Sequence, residues 1–161
     1  EARNLARWAQ HARRFDTVQD GPRLAEAVLE TSRRLVEPAD ATPVVSHTDL
    51  HDGQLLWDGT TLGVIDLDGA RLAEAALDLT NLRAHAELAR LRGSLSARGL
   101  DSIIGWLDDA ARRMPTSHAR LNAYLDAARL RLIFVHSFRP GSRAWLDDWR
   151  DHALGGLANT P

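Results

Sequence analysis

The chain has 161 residues, 20 of them basic and 22 acidic, a formal net charge of −2 and no cysteine. An apolar fraction of 44% and a charged fraction of 26% are those of an ordinary soluble globular domain, large enough to bury a core without a disulfide or metal staple. Missing cysteine excludes disulfides, thiol nucleophiles and cysteine-ligated zinc, and the balanced charge argues against a nucleic-acid surface. No apolar run approaches the ~20 residues of a membrane span, and no signal-peptide pattern opens the chain, so a cytoplasmic protein without membrane partners is expected. All the basic residues are arginine, and the chain opens at Glu1 in what reads as mid-helix sequence. Both features suggest a piece of something longer.

In chain order, Leu5, Trp8, Ala12 and Phe15 recur at helical spacing, which predicts an amphipathic helix over 4–15. Asp20-Gly21-Pro22 breaks it and starts a second helix with Leu24, Val28, Ser32 and Leu35 on one face. Residues 1–37 thus read as a helical pair, followed by a linker between Pro38 and Pro43. Val44-Val45 is a short β-type run, and Leu55-Leu56-Trp57 and Leu62-Gly63-Val64-Ile65 flank Asp58-Gly59 as a hairpin. No other β structure is evident. From Glu74 to residue 157 the pattern is helical again. Leu79, Leu82, Ala86 and Ala89 form one stripe, and Ile103, Leu107, Ala110 and Met114 a second, stopped by Pro115. Leu121, Leu125, Ala128, Leu132 and Val135 form the longest, and a short helix follows near 144–154. The expected fold class is mainly α (α+β), a helical domain with one small hairpin.

Polar residues concentrate in 46–54, Ser-His-Thr-Asp-Leu-His-Asp-Gly-Gln, between two β-type runs, where a scaffold displays functional groups. If the hairpin folds back beside this loop, Asp49, Gln54 and Asp66 converge. In an extended strand Asp66 and Asp68 would point to the same face. A carboxylate able to take a proton, an amide oxygen and a second carboxylate suit a hard cation such as Mg²⁺, which is held by one or two carboxylates with phosphates completing its shell. That is the equipment of phosphoryl transfer. The alternation His47-x-Asp49-x-His51 also admits zinc, but a third histidine at suitable spacing is lacking, since His85 and His136 fall on predicted helices. Asp147, Asp148 and Asp151, beside Trp145 and Trp149, read as a solvated helix face over core tryptophans.

Three ordered blocks, His47-Thr48-Asp49-Leu50-His51-Asp52-Gly53-Gln54, Val64-Ile65-Asp66-Leu67-Asp68 and Ala76-Leu77-Asp78-Leu79, resemble the aminoglycoside phosphotransferase-like family of small-molecule kinases, whose architecture is protein-kinase-like. The resemblance spans residues 44–82. It implies a kinase-like C-terminal lobe, with the catalytic loop and metal-binding hairpin at 44–68 and a helical subdomain at 74–157. It implies that Asp49 is the catalytic aspartate that orients and deprotonates a hydroxyl of a small-molecule acceptor. Gln54 stands where the family has asparagine and, with Asp66, corresponds to the Mg²⁺ ligands at ATP, Asp68 being a further candidate metal contact. His51 is expected near the phosphates, and His47 and Asp78 are expected to brace the loop. Thr48 replaces the usual Gly or Arg, and Glu74 a common aspartate.

A complete kinase of this type has an N-terminal β-rich lobe with a phosphate-pairing lysine. This chain shows no strand-rich half before Val44, no lysine and no Walker A motif. The expectation is a lobe that needs its nucleotide lobe as partner and is inactive alone. The alternatives are a catalytically silent kinase-like module that binds a ligand or partner, and a helical interaction domain with an accidental loop match.

Overall fold

The computed structural model describes residues 1–14, 18, 21–38 and 42–157. In chain order these form α1 (Ala2–Arg14), α2 (Pro22–Val36), β1 (Val44–Ser46), β2 (Leu55–Trp57), β3 (Leu62–Val64), β4 (Arg71–Ala73), α3 (Ala76–Leu91), α4 (Ala97–Ala111), α5 (His118–Ser137) and α6 (Leu146–Leu157). Single 3-10 turns lie at Asp52–Gln54, Leu67–Gly69 and Pro140–Ser142. The mainly helical class with a small hairpin is as expected. Phe15, the last residue of the first predicted stripe, lies outside the described residues. The chain divides into two compact units, residues 1–39 with 122–161, and residues 40–121.

The first unit joins the N-terminal helix pair to the C-terminal helices. Pro22 opens α2 behind an extended Gly21, its fixed φ already helical. The buried face of α2 is Leu24, Val28, Thr31 and Leu35, so Thr31 takes the place predicted for Ser32. The spacing 4, 3, 4 tracks a 3.6-residue period more closely than a run of fours. α5 is buried nearly all round from Ala123 to Phe134, which is why no single apolar stripe describes it. Trp149 is fully buried on α6, its indole N–H donating to Arg129 O at 3.2 Å. Arg34 reaches the buried Asp126 carboxylate at 2.6 Å, pairing a charge that burial alone would penalise by several kcal/mol. The acidic cluster on α6 is a solvated face as expected, with Arg150 lying 2.8 Å from Asp147 and 3.8 Å from Asp151.

The second unit carries the β structure. β2 and β3 form the anticipated hairpin, Leu55 opposite Val64 and Trp57 opposite Leu62. Its turn is closed by Asp58, whose carboxylate accepts the N–H groups of Thr61 and Thr60, both at 2.8 Å, and the Thr60 hydroxyl at 2.9 Å. Those donors hold the Asp58 carboxyl below the ordinary aspartate range. β4 was not anticipated. It pairs antiparallel with β1, Val44 opposite Ala73 and Ser46 opposite Arg71. Three residues are too few to show a period, and the partner strand lies far back in sequence.

α3 ends in Gly93 at φ 78°, with Ser94 N–H returning to Ala89 O at 3.0 Å, a left-handed stop that suits glycine. Ser96 then caps α4, accepting Gly99 N–H at 3.0 Å. Just before α3, Glu74 takes a two-pronged ion pair from Arg120, at 2.7 and 2.6 Å. This fixes the entry to α3, the helix that holds the polar loop.

Candidate active site

The first turn of α3 presents Asp78, and its carboxylate accepts two loop N–H groups, His47 at 2.6 Å and Thr48 at 2.8 Å. Three residues on, buried Asn81 donates its amide N–H to Leu50 O at 2.8 Å. Four further on, His85 stacks against His51 with ring centroids 4.7 Å apart and planes 15° from parallel. Positions i, i+3 and i+7 lie on one face of a helix. α3 therefore carries a polar stripe that grips the loop at residues 47, 48, 50 and 51. Asp49 sits exposed between residues held on both sides.

Thr48 adopts φ 75°, a left-handed conformation that a β-branched residue rarely takes. Such strain persists only where the surroundings over-determine it. Here the Asp78 contact fixes the amide, the Thr48 hydroxyl donates to Gly69 O at 3.2 Å, and Arg71 Nη1 donates to that hydroxyl at 3.1 Å. Thr48→Gly removes the strain and the hydroxyl together, about 1 kcal/mol each and of opposite sign. The expected result is a melting temperature within a few degrees of wild type but faster amide exchange in residues 66–70, measured by hydrogen–deuterium exchange.

His47 is buried and ties the loop to the hairpin's far end, its Nε2 lying 2.7 Å from Ile65 O. A carbonyl only accepts, so Nε2 carries the proton in this contact, and Nδ1 is left without a partner. The expected bracing positions of His47 and Asp78 are both found. Among the described residues, the alternation 47-49-51 does not gather into a cluster of candidate metal ligands.

Gln54 is fixed by its backbone on two sides: its N–H donates to His51 O at 3.0 Å, and its carbonyl accepts Ile65 N–H at 3.1 Å. The next residue after Ile65, Asp66, turns left-handed at φ 62°, ψ 48°. Its Oδ2 then lies 3.1 Å from the Gln54 side-chain amide nitrogen. That amide also lies 3.4 Å from His51 Nε2. Gln54 and Asp66, two of the three residues expected to converge, thus meet, 12 residues apart in sequence.

The expectation that Asp66 and Asp68 share a strand face is overturned. β3 stops at Val64, Asp66 is left-handed, and Asp68 lies in the 3-10 turn that follows. Asp68 is exposed and makes no hydrogen bond to Gln54 or Asp66. His51 is ordered by its own segment: Nδ1 accepts Gly53 N–H at 3.0 Å, and a Cβ on Gly53 would come within 2.8 Å of the ring. A larger residue at position 53 would have to displace the His51 ring.

Asn81 and Arg71 were missed from the sequence, and His85 was set aside as a helix residue. The 78/81/85 spacing was legible as a polar stripe, but apolar residues at neighbouring positions mark the same helix more strongly. Arg71 belongs to the strand that three residues could not announce.

The donor set fits a hard cation. Asp66 supplies a carboxylate oxygen, and turning the Gln54 amide by 180° about its last bond brings Oε1 to the same place as Nε2, giving two oxygen donors. The model of the phosphotransferase enzyme family matches residues 1–115, and the chain belongs to that family. The match takes in the N-terminal helix pair and α4 as well as the loop and hairpin. No curated protein matches the chain significantly. Among the described residues, no helix is long and apolar enough to cross a membrane.

Proposed function

We propose that this chain carries the catalytic loop of an ATP-dependent phosphotransferase that phosphorylates a hydroxyl group of a small molecule. The observation that supports this most directly is the Gln54–Asp66 contact at 3.1 Å, beside a loop whose aspartate is flanked by anchored residues. Asp49 receives the proton of the acceptor hydroxyl, or orients that hydroxyl for attack on the γ-phosphorus. The P–O bond to ADP breaks as the new P–O bond forms, and the proton ends on Asp49 or solvent. Gln54 and Asp66 hold Mg²⁺, which when bound neutralises charge on the nucleotide phosphates. His51 orients the Gln54 amide. The helical segments contribute to the acceptor pocket, and aminoglycosides and sugars are the first acceptors to test.

The chain holds no lysine, so a phosphate-pairing lysine would come from residues outside this sequence. The 161-residue chain alone is then inactive, and the test belongs on the longer parent protein. ATP consumption is measured over a panel of hydroxyl compounds, and turnover dependent on one acceptor supports the proposal. Turnover with none, in a folded parent that binds Mg-ATP, supports a silent ligand-binding module instead; the glutamine at position 54 and the absence of lysine favour that second reading. Asp66→Asn is expected to weaken Mg-ATP binding at least tenfold by calorimetry, with Asp68→Asn within about twofold. Equal losses in both variants would move the ion toward Asp68.

A further inference from the structure

His51, Asp52 and His85 each bring one ligand atom into a cluster whose members all lie within 4.8 Å of one another. Asp52 Oδ1 is 3.8 Å from His51 Nδ1 and 4.0 Å from His85 Nδ1. Two imidazoles and a carboxylate make the three-protein-ligand set of many zinc sites, with a fourth position left to water. Bonds of about 2.0–2.1 Å in a tetrahedral shell separate the ligand atoms by about 3.3 Å. The two separations from Asp52 exceed that by less than 1 Å, and no pair exceeds it by more than about 1.5 Å, within reach of side-chain rotation.

The supports of the three residues suit that adjustment. His85 stands on the rigid helix α3, while Asp52 opens the 3-10 turn and is 81% exposed. The rings are now stacked 15° from parallel, and one ion cannot lie in both ring planes, so one ring must turn. Their side chains are 26% and 19% exposed, which leaves room for it. If His51 offers Nδ1, it releases the Gly53 N–H, a neutral hydrogen bond of about 1 kcal/mol, small beside a metal–nitrogen bond. Imidazole with carboxylate favours zinc and its first-row neighbours over magnesium, which prefers an all-oxygen shell.

We propose that His51, Asp52 and His85 form a binding site for a divalent transition metal, zinc in the first instance, separate from the oxygen pair Gln54–Asp66. The site does not depend on the phosphotransferase reading. It is tested on the full chain by calorimetric titration with Zn²⁺ alone, with circular dichroism as the folding control. Wild type is expected to bind one equivalent. His85→Ala and Asp52→Asn should each weaken binding at least tenfold, and Asp66→Asn should leave it within twofold. Asp52 is exposed, so its variant reports on ligation even if His85→Ala is misfolded. Absence of zinc binding in wild type, or unchanged affinity in either folded ligand variant, overturns the site. A tenfold loss in Asp66→Asn also overturns it, by assigning the ion to the Gln54–Asp66 pair.

Discussion

Asp78→Ala is expected to lower stability by about 2–4 kcal/mol and to release the loop it holds. The carboxylate accepts two backbone N–H groups, at 2.6 and 2.8 Å, and hydrogen bonds to a charged acceptor contribute about 1.5–3 kcal/mol each. Alanine leaves both donors without their acceptor, one of them on buried His47. The side chain is only half-buried, so water recovers part of the loss and brings it below the doubled figure of about 3–6 kcal/mol. In a domain of this size 1 kcal/mol moves the melting temperature by about 2–4 °C, so a fall of roughly 4–16 °C is expected. Asp78→Asn keeps one oxygen and loses the charge, and should fall between alanine and wild type. Hydrogen exchange at residues 47–50 should rise in both variants, because Thr48 has no reason to stay at φ 75° once its amide is freed. A melting temperature within about 2 °C of wild type in Asp78→Ala would mean that Asn81 and the His47–Ile65 contact hold the loop without Asp78.

The distinction between what the sequence declared and what it concealed follows from range. Most helices declared themselves through apolar period, because each repeats one relation over several turns. The β2–β3 hairpin declared itself through Asp58-Gly59, a local signal read by a local turn. β4 stayed hidden because its only partner, β1, is separated from it by the whole loop and hairpin. The site shows the same division. Asp49, Gln54 and Asp66 were singled out because they sit in an ordered pattern along the chain, and of these Gln54 and Asp66 meet. The strand-face argument for Asp68 failed because one residue, Asp66, leaves the β region, and a period-2 argument ends where the strand ends. His85 was set aside for lying on a helix, yet that placement is what aligns it with Asp78 and Asn81 above the loop. Distance in sequence concealed it; the helix repeat connects it.

On the proposed function, Asp49→Asn is expected to reduce turnover of the longer protein by about 10²–10⁴-fold while leaving the fold intact. That range is the usual contribution of a positioned general base. The side chain is exposed, and the loop is held on either side of it by Thr48 N–H to Asp78 and by Asn81 to Leu50 O. Asparagine matches aspartate in shape, so those anchors persist and the melting temperature should move by no more than a couple of degrees. What changes is the charge and the ability to accept a proton. An acceptor hydroxyl must then lose its proton unaided as the phosphoryl group arrives, so kcat falls and the acceptor KM moves by less than about threefold. Asp78→Ala should differ in kind, because a displaced loop misplaces both Asp49 and the bound acceptor, raising KM and lowering kcat together. Steady-state kinetics on the two variants, with melting curves measured in parallel, separates a group that reacts from a group that holds it in place. Full turnover in a folded Asp49→Asn enzyme would remove the loop carboxylate from proton transfer, leaving the reaction to positioning and charge alone.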